Sequence, residues 1–199
     1  MMKHSTAIKS PLQWYDALSE AIKAMECKVA GKTMPVKKAI EQTINILTAA
    51  RQMNSTVYWV GNGGSAAICS HLSQDLMNKL GIWSQTFGDI SLLTCMANDF
   101  GYEQVYARPL KKMAVSEDVL IAISSSGNSE NILSSVEVAL DKGLHTITLS
   151  GMDETNRLWS VDTNVSFFVS SDLYGIVEVS HEAILHGVIE TLWLENRQK

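Results

Sequence analysis

VYWVGNGGSAAICSHLSQDLMNK, residues Val57 to Lys79, reads as a short strand, a glycine-rich turn and the opening of a helix. The β-branched and aromatic run Thr56-Val57-Tyr58-Trp59-Val60 predicts the strand, and Gly61 ends it. Gly61-Asn62-Gly63-Gly64-Ser65 then supplies residues that tolerate positive φ and let backbone N–H groups approach a ligand. A helix starting there points its N-terminal N–H groups and the positive end of its dipole at the same spot, a geometry suited to an anion such as phosphate. Tight turns also use glycine for steric reasons alone, so the turn by itself leaves both readings open.

Outward from this stretch the pattern repeats. Trp83 to Phe87, Val119 to Ile123, His145 to Leu149 and Val165 to Val169 read as further strands. Helices are expected from Asp89 as cap, from Ser129 to Lys142-Gly143, and from about Ile176 to Glu195. Ala97-Asn98-Asp99-Phe100-Gly101-Tyr102-Glu103 reads as a polar, aromatic interruption before a helix towards Met113. Two amphipathic helices, at about 10–54, precede the first strand. Ser10-Pro11 opens one, with Leu12, Tyr15, Leu18, Ile22 and Met25 as its stripe, and Gly31 ends it. Pro35 opens the other, with Val36, Ala39, Ile40, Ile44, Leu47 and Ala50. Both are expected to pack on the core or on another subunit. Alternating strands and helices predict an α/β fold, a three-layer sandwich with a central parallel sheet of about five strands flanked by helices.

In such a sheet, ligands bind beyond the carboxyl ends of the strands. A second polar loop emerges there, Ser124-Ser125-Ser126-Gly127-Asn128-Ser129, directly after an apolar strand. Its hydroxyls at a helix N-terminus make a second anion cradle beside the first, although a cap and turn need only one serine.

With 199 residues and 46% hydrophobic content, the chain has enough apolar sequence for one substantial core, and no Pro/Gly/Ser-rich linker divides it, so one domain over 1–199 is expected. A net charge of −5 offers no basic footprint for nucleic acid. Cys27, Cys69 and Cys95, odd in number and without CxxC spacing, fit free thiols in a reducing compartment, with Cys69 and Cys95 as small core residues. The N-terminus MMKHSTAIKS carries no apolar signal core, and no apolar run approaches a membrane span. A soluble, cytoplasmic protein is expected.

Two clusters of titratable residues remain. His71 and Asp75, at i and i+4, share a helix face and could hold a divalent metal, divide acid and base roles, or form an ordinary exposed pair. Glu178, His181, Glu182 and His186 form the second, on a helix whose charged residues would ordinarily face water.

Taken together, GNGGSAA with a histidine and a carboxylate downstream, ANDFGYE, SSSGNS, and EVSH followed by His186 resemble the SIS (sugar isomerase) domain, and more narrowly the phosphoheptose isomerases. The similarity covers nearly the whole chain. It implies interconversion of sedoheptulose 7-phosphate and a heptose 7-phosphate by a cytoplasmic homotetramer with interfacial active sites. It also implies zinc, one ion per subunit, and no nucleotide or other organic cofactor. By the same resemblance Asn62, Gly63, Gly64 and Ser65 line the sugar-phosphate site, Ser124, Ser126 and Ser129 fall on the loop that grips the phosphate, and Asp99 helps place the sugar; Ser125, in the same loop, is expected to bind substrate with them. His71, Asp75, Glu178 and His186 fall on metal-ligand positions, with Asp75, Glu178 and His186 as candidates for proton transfer.

Asp75 departs from the family, which has glutamate there. A carboxylate displaced by about 1 Å can cost on the order of 100-fold in rate. Three outcomes stay open: a backbone shift restores the group, Glu178 takes the base role, or chemistry is weakened or lost. Loss would suit the alternative of a non-catalytic SIS protein that binds a partner such as a replication initiator, or one that senses a sugar phosphate. Glu178 and His186 would also stand roughly 12 Å apart along one regular helix at 1.5 Å per residue. Either that helix begins after Glu178, or one site combines residues of different subunits. Lys79, one turn beyond Asp75, would add positive charge near the phosphate or remain a solvated side chain.

Overall fold

The computed structural model describes residues 8–197, so most of the N-terminal segment expected to lack a signal core lies outside the described residues. Helix α1 (Pro11–Lys23) begins where Ser10 caps it, the Ser10 hydroxyl accepting from the Gln13 N–H. It stops before Met25. The chain then forms a hairpin absent from the sequence expectations, β1 (Glu26–Val29) and β2 (Lys32–Thr33). Gly31 does not terminate a helix; with Ala30 it makes a two-residue turn in which both φ angles are positive, 47° and 73°. The positive φ is what restricts Gly31; a Cβ there would also fall 2.4 Å from Asp162 Oδ1, the tip of an exposed side chain that would have to turn aside.

Helix α2 (Val36–Met53) follows, ending at Asn54 in the left-handed conformation, and leads to β3 (Val57–Gly61). Helix α3 (Gly64–Asp75) continues into a turn of π-helix at Leu76–Leu80, and β4 (Ser84–Thr86) comes next. Helix α4 (Ile90–Phe100) is capped by Asp89, whose carboxylate accepts from the Leu92 N–H at 2.9 Å. Ala97 to Phe100, expected to interrupt the chain, are its last turn. The break comes one residue later, at Gly101 with φ 90°. After a short 3-10 turn come α5 (Ala107–Met113), β5 (Val119–Ser124), α6 (Glu130–Asp141), β6 (His145–Gly151), α7 (Arg157–Ser160), β7 (Val165–Val169) and α8 (Tyr174–Arg197).

Among the described residues the sheet has seven strands in the order β2-β1-β7-β6-β5-β3-β4. The five from β7 to β4 are parallel, and the β1-β2 hairpin adds antiparallel to β7 through Glu26↔Phe168 to Val29↔Val165. Both faces of the central strands are covered. Val57, Trp59, Val119, Ile121 and Ile123 pack with α2, α3 and α8, whereas the alternate residues Tyr58, Val60, Leu120 and Ala122 pack with α5, α6 and α7. This period of two is why these strands are apolar throughout.

From β3 the chain moves outward to β4, then returns to the other side of β3 as β5. The strand order therefore reverses between β3 and β5. Loops leaving their carboxyl ends diverge to opposite faces and leave a crevice, the place where such sheets bind ligands.

A buried polar link fixes the edge. Trp59 Nε1 donates to Ser84 Oγ at 2.8 Å, and Ser84 Oγ lies 2.9 Å from Ser73 Oγ, tying β3, β4 and α3 together. Ser84→Ala strands the indole N–H inside the core, and urea unfolding should show a loss of about 1–3 kcal/mol.

Candidate active site

Two turns meet at the crevice. In the first, Gly63 has φ 53° and ψ −121°, so α3 starts abruptly with its N–H groups directed at the opening. A Cβ at Gly64 would meet the Glu178 carboxylate at 2.6 Å and displace it from its present position. The missing side chain lets Glu178, from α8, rest over the N-terminus of α3, where the helix dipole favours a negative charge.

The second turn, after β5, closes through Gly127 at φ 65°, its N–H bonded to the Ser124 carbonyl at 2.9 Å. Ser129, at the start of α6, does not cap the helix; its hydroxyl accepts from Ser124 Oγ at 3.3 Å. Ser126 Oγ accepts from the Asn128 N–H. Ser125 Oγ is buried without a hydrogen-bond partner. A buried hydroxyl left unmatched by the fold is available to a ligand.

The turns are cross-linked by two residues that sequence reasoning did not pair. Asn62 Nδ2 donates to Asn131 Oδ1 at 2.9 Å, and Asn131 Nδ2 returns a bond to Asn62 Oδ1 at 2.8 Å. Tyr106 OH donates to the Gly61 carbonyl at 2.7 Å, and Tyr102 OH reaches Asn62 Oδ1 at 3.3 Å. Asn131 stands in the first turn of the helix that follows the serine loop, the one signal by which it could have been found.

A polar hollow of about 280 Å³ lies between the turns, lined by Asn62, Gly63, Gly64, Ser65, Ser124, Ser125, Ser126, Ser129, Tyr174 and Glu178. Tyr174, which no motif singles out, contributes from the start of α8. Asp99 does not join this lining. It sits exposed at the end of α4, accepting from Asn98 Nδ2 at 2.8 Å and from Cys95 Sγ at 3.5 Å. Cys95 is accordingly exposed, whereas Cys27 and Cys69 are the buried thiols.

Gly64 and Glu178 also line a second hollow of about 370 Å³, with Ala67, Ile68, His71, Val179 and Glu182. Glu178 therefore stands between the first hollow and the one that His71 lines. Beyond it, ligand atoms of His71, Asp75 and His186 lie within 4.8 Å of one another. His186 Nδ1 is 3.8 Å from Asp75 Oδ2 and has no hydrogen-bond partner although it is buried, while Nε2 is 3.9 Å from Glu182 Oε1. Two imidazoles, a buried carboxylate and an orphaned ring nitrogen fit a divalent transition metal.

Glu178, expected among the metal ligands, does not join them within the chain. Helix α8 begins at Tyr174, so Glu178 lies inside it, two turns before His186. That overturns the possibility that the helix starts later. His181, on the same helix, is fully buried, with Nε2 3.0 Å from the Ser150 carbonyl; burial pushes it down to about 4 and keeps it neutral. It pins α8 to β6.

Asp75 is buried where α3 passes into the π turn, a helix defect that often marks functional sites. Its Oδ2 accepts from Lys79 Nζ at 2.8 Å, and the bond holds the Lys79 ammonium above its ordinary range. Lys79 thus neither approaches the anion pocket nor stands free in solvent; its second partner is Glu190, at 3.1 Å.

The SIS domain family pattern matches residues 14–151. Among curated proteins, the phosphoheptose isomerase of Histophilus somni is 32% identical over 165 residues, 79% of this chain and 83% of that protein. That of Helicobacter pylori is 37% identical over 124 residues, 59% of this chain; the match spans 65% of the length of the Helicobacter protein. Solved phosphoheptose isomerases from Neisseria gonorrhoeae and Francisella tularensis superpose with a TM-score of 0.78 each, at 24% identity. They cover 90% and 92% of this chain, and 92% and 97% of their own, and share its fold. The chain belongs to the SIS domain family, on its phosphoheptose isomerase branch.

Proposed function

We propose that the protein is an aldose–ketose isomerase that converts sedoheptulose 7-phosphate to D-glycero-D-manno-heptose 7-phosphate, as the names of its relatives suggest. The observation that carries the reading is the position of Glu178 between the two hollows. On one side lies a pocket made of two helix starts and five serines; on the other lies a histidine-carboxylate cluster. A phosphorylated sugar needs both, an anion cradle for one end and proton-transfer groups for the other.

In this mechanism Ser124, Ser125, Ser126 and Ser129 hold the phosphate through hydroxyls and N–H groups, and the Asn62–Asn131 pair keeps the two turns in register. The carbon chain then crosses Gly64, where a side chain would block it. Glu178 takes a proton from C1 of the ketose as the carbonyl electrons move to O2, giving an enediol after O2 is protonated. The same carboxylic acid returns the proton at C2 while O1 gives up its own, leaving the aldose. Asp75 is the poorer base because its carboxylate is engaged by a cation, Lys79 in this structure and the divalent ion when one is held there. His186 carries the hydroxyl protons through Nε2, beside Glu182. His71, Asp75 and His186 Nδ1 would hold a divalent ion, zinc by family resemblance, one per subunit. Bound there, it would polarise the substrate carbonyl and steady the enediolate charge. No organic cofactor has a part in this scheme.

The whole chain acts as a single domain, in a homotetramer. Helices α1 and α4 contain no buried residue, and Leu12 and Ile90 are 72% and 77% exposed, the faces expected of subunit contacts. Asp99, on α4, would reach a site only across such a contact. The thiols Cys27, Cys69 and Cys95 are all free, which suits the cytoplasm. None of the helices in the described residues is long and apolar enough to cross a membrane.

Two measurements test this reading. Purified protein should turn over sedoheptulose 7-phosphate, faster with added zinc, and Asp75→Glu should remain active; no turnover by either, with sugar-phosphate binding intact, would favour the partner-binding or sensing alternatives. Ser125→Ala should raise KM about 10-fold or more by deleting a hydrogen bond to a charged group, without loss of stability, because that hydroxyl has no partner in the fold.

A further inference from the structure

We infer that Lys79 is a built-in competitor for the metal position: its ammonium occupies the carboxylate end of the His71–Asp75–His186 cluster, and Glu190 receives it when a divalent ion displaces it. The inference rests on reading those three residues as a metal site. Lys79 Nζ lies 2.8 Å from Asp75 Oδ2, the same oxygen that faces His186 Nδ1 at 3.8 Å. One carboxylate oxygen thus serves the ammonium and the cluster together.

The arrangement follows from local structure. Asp75 closes α3, and the π turn that follows carries Lys79 at i+4. Asp75 is buried, and an uncompensated buried carboxylate is strongly disfavoured, so some cation has to face it. Lys79 supplies that cation. A divalent ion bonded to Asp75 sits about 2.0–2.2 Å from the carboxylate oxygen, which brings it within a few ångströms of the ammonium. Repulsion at that range, between two cations that draw on the lone pairs of one oxygen, sets them in competition at Oδ2.

The second carboxylate gives the lysine somewhere to go. Glu190 Oε1 lies 3.1 Å from Nζ and is much more exposed than Asp75, and Nζ stands 5.8 Å from the Trp193 ring centre. A small rotation of the side chain transfers the ammonium fully to Glu190 without placing it in apolar surroundings. Metal binding and lysine release are then two ends of one equilibrium, and each alters the other by the same factor.

Zinc affinity of the full-length protein, measured by competition with a chromophoric chelator, tests this without any assay of turnover. Lys79→Met should bind zinc about 10-fold more tightly and Glu190→Gln about 3-fold more weakly, and the Glu190 effect should vanish in the double variant. Glu190→Gln keeps the Asp75–Lys79 pair, so it tests the idea even if Lys79→Met folds poorly. Unchanged or weaker binding by Lys79→Met, with binding abolished in His71→Ala, overturns the role of Lys79 and leaves the metal site standing. A Glu190 effect that persists in the double variant also overturns it. Zinc binding that His71→Ala leaves untouched, or no binding by any of the proteins, overturns both.

Discussion

Two parallel strands whose outgoing loops part in opposite directions set the terms for everything else in this molecule. Because β3 and β5 pair in register from Val57↔Val119 to Gly61↔Ile123, their ends finish level. The glycine turn and the serine loop then leave the sheet side by side. The reciprocal amide bonds between Asn62 and Asn131 turn that proximity into a fixed spacing. Two separate turns would be loosely placed; held in register by a half-buried amide pair, they form one pocket.

The second constraint is electrostatic. Glu178 can stand over the start of α3 only because residue 64 is glycine, and from there it touches both hollows. Asp75 is buried and matched by Lys79, so the two carboxylates have different characters: one faces the pocket, the other is committed to a cation. On the proposed mechanism the same division accounts for the shorter side chain at position 75. A residue whose work is to hold positive charge tolerates a change of length better than one that must reach a substrate C–H bond. His181 completes the contrast, since burial keeps it neutral and confines it to tying α8 against β6.

Much of this was legible beforehand. The alternation of strands and helices gives the five parallel strands, and their continuous apolar character follows from a sheet covered on both faces. Eight of the pocket positions come from two turns whose glycines and serines have no other common purpose. The hairpin at Ala30-Gly31 was hidden because Met25 prolongs a helical spacing, and a four-residue strand carries little periodicity of its own. Asn98 and Asp99 look like loop residues, yet the helix continues to Phe100 because Gly101, with its positive φ, is the true breaker. Cys95 was expected inside because free cysteines are usually buried; on α4 it is Leu92, Leu93, Met96 and Ala97 that pack against the core, and Cys95 is exposed. The pairings of Asn131 with Asn62, and of Lys79 with Asp75 and Glu190, depend on distances in space that spacing in sequence does not encode.

On the proposed mechanism Glu178, rather than Asp75, removes the proton at the reacting carbon. Incubation of sedoheptulose 7-phosphate in D2O, followed by proton NMR of the C1 hydrogens, reads that step directly. Exchange is expected with the unaltered protein, falling at least about 100-fold with Glu178→Gln while inorganic phosphate still binds. Exchange at an undiminished rate in Glu178→Gln, with Asp75→Asn as the variant that abolishes it, would contradict the account.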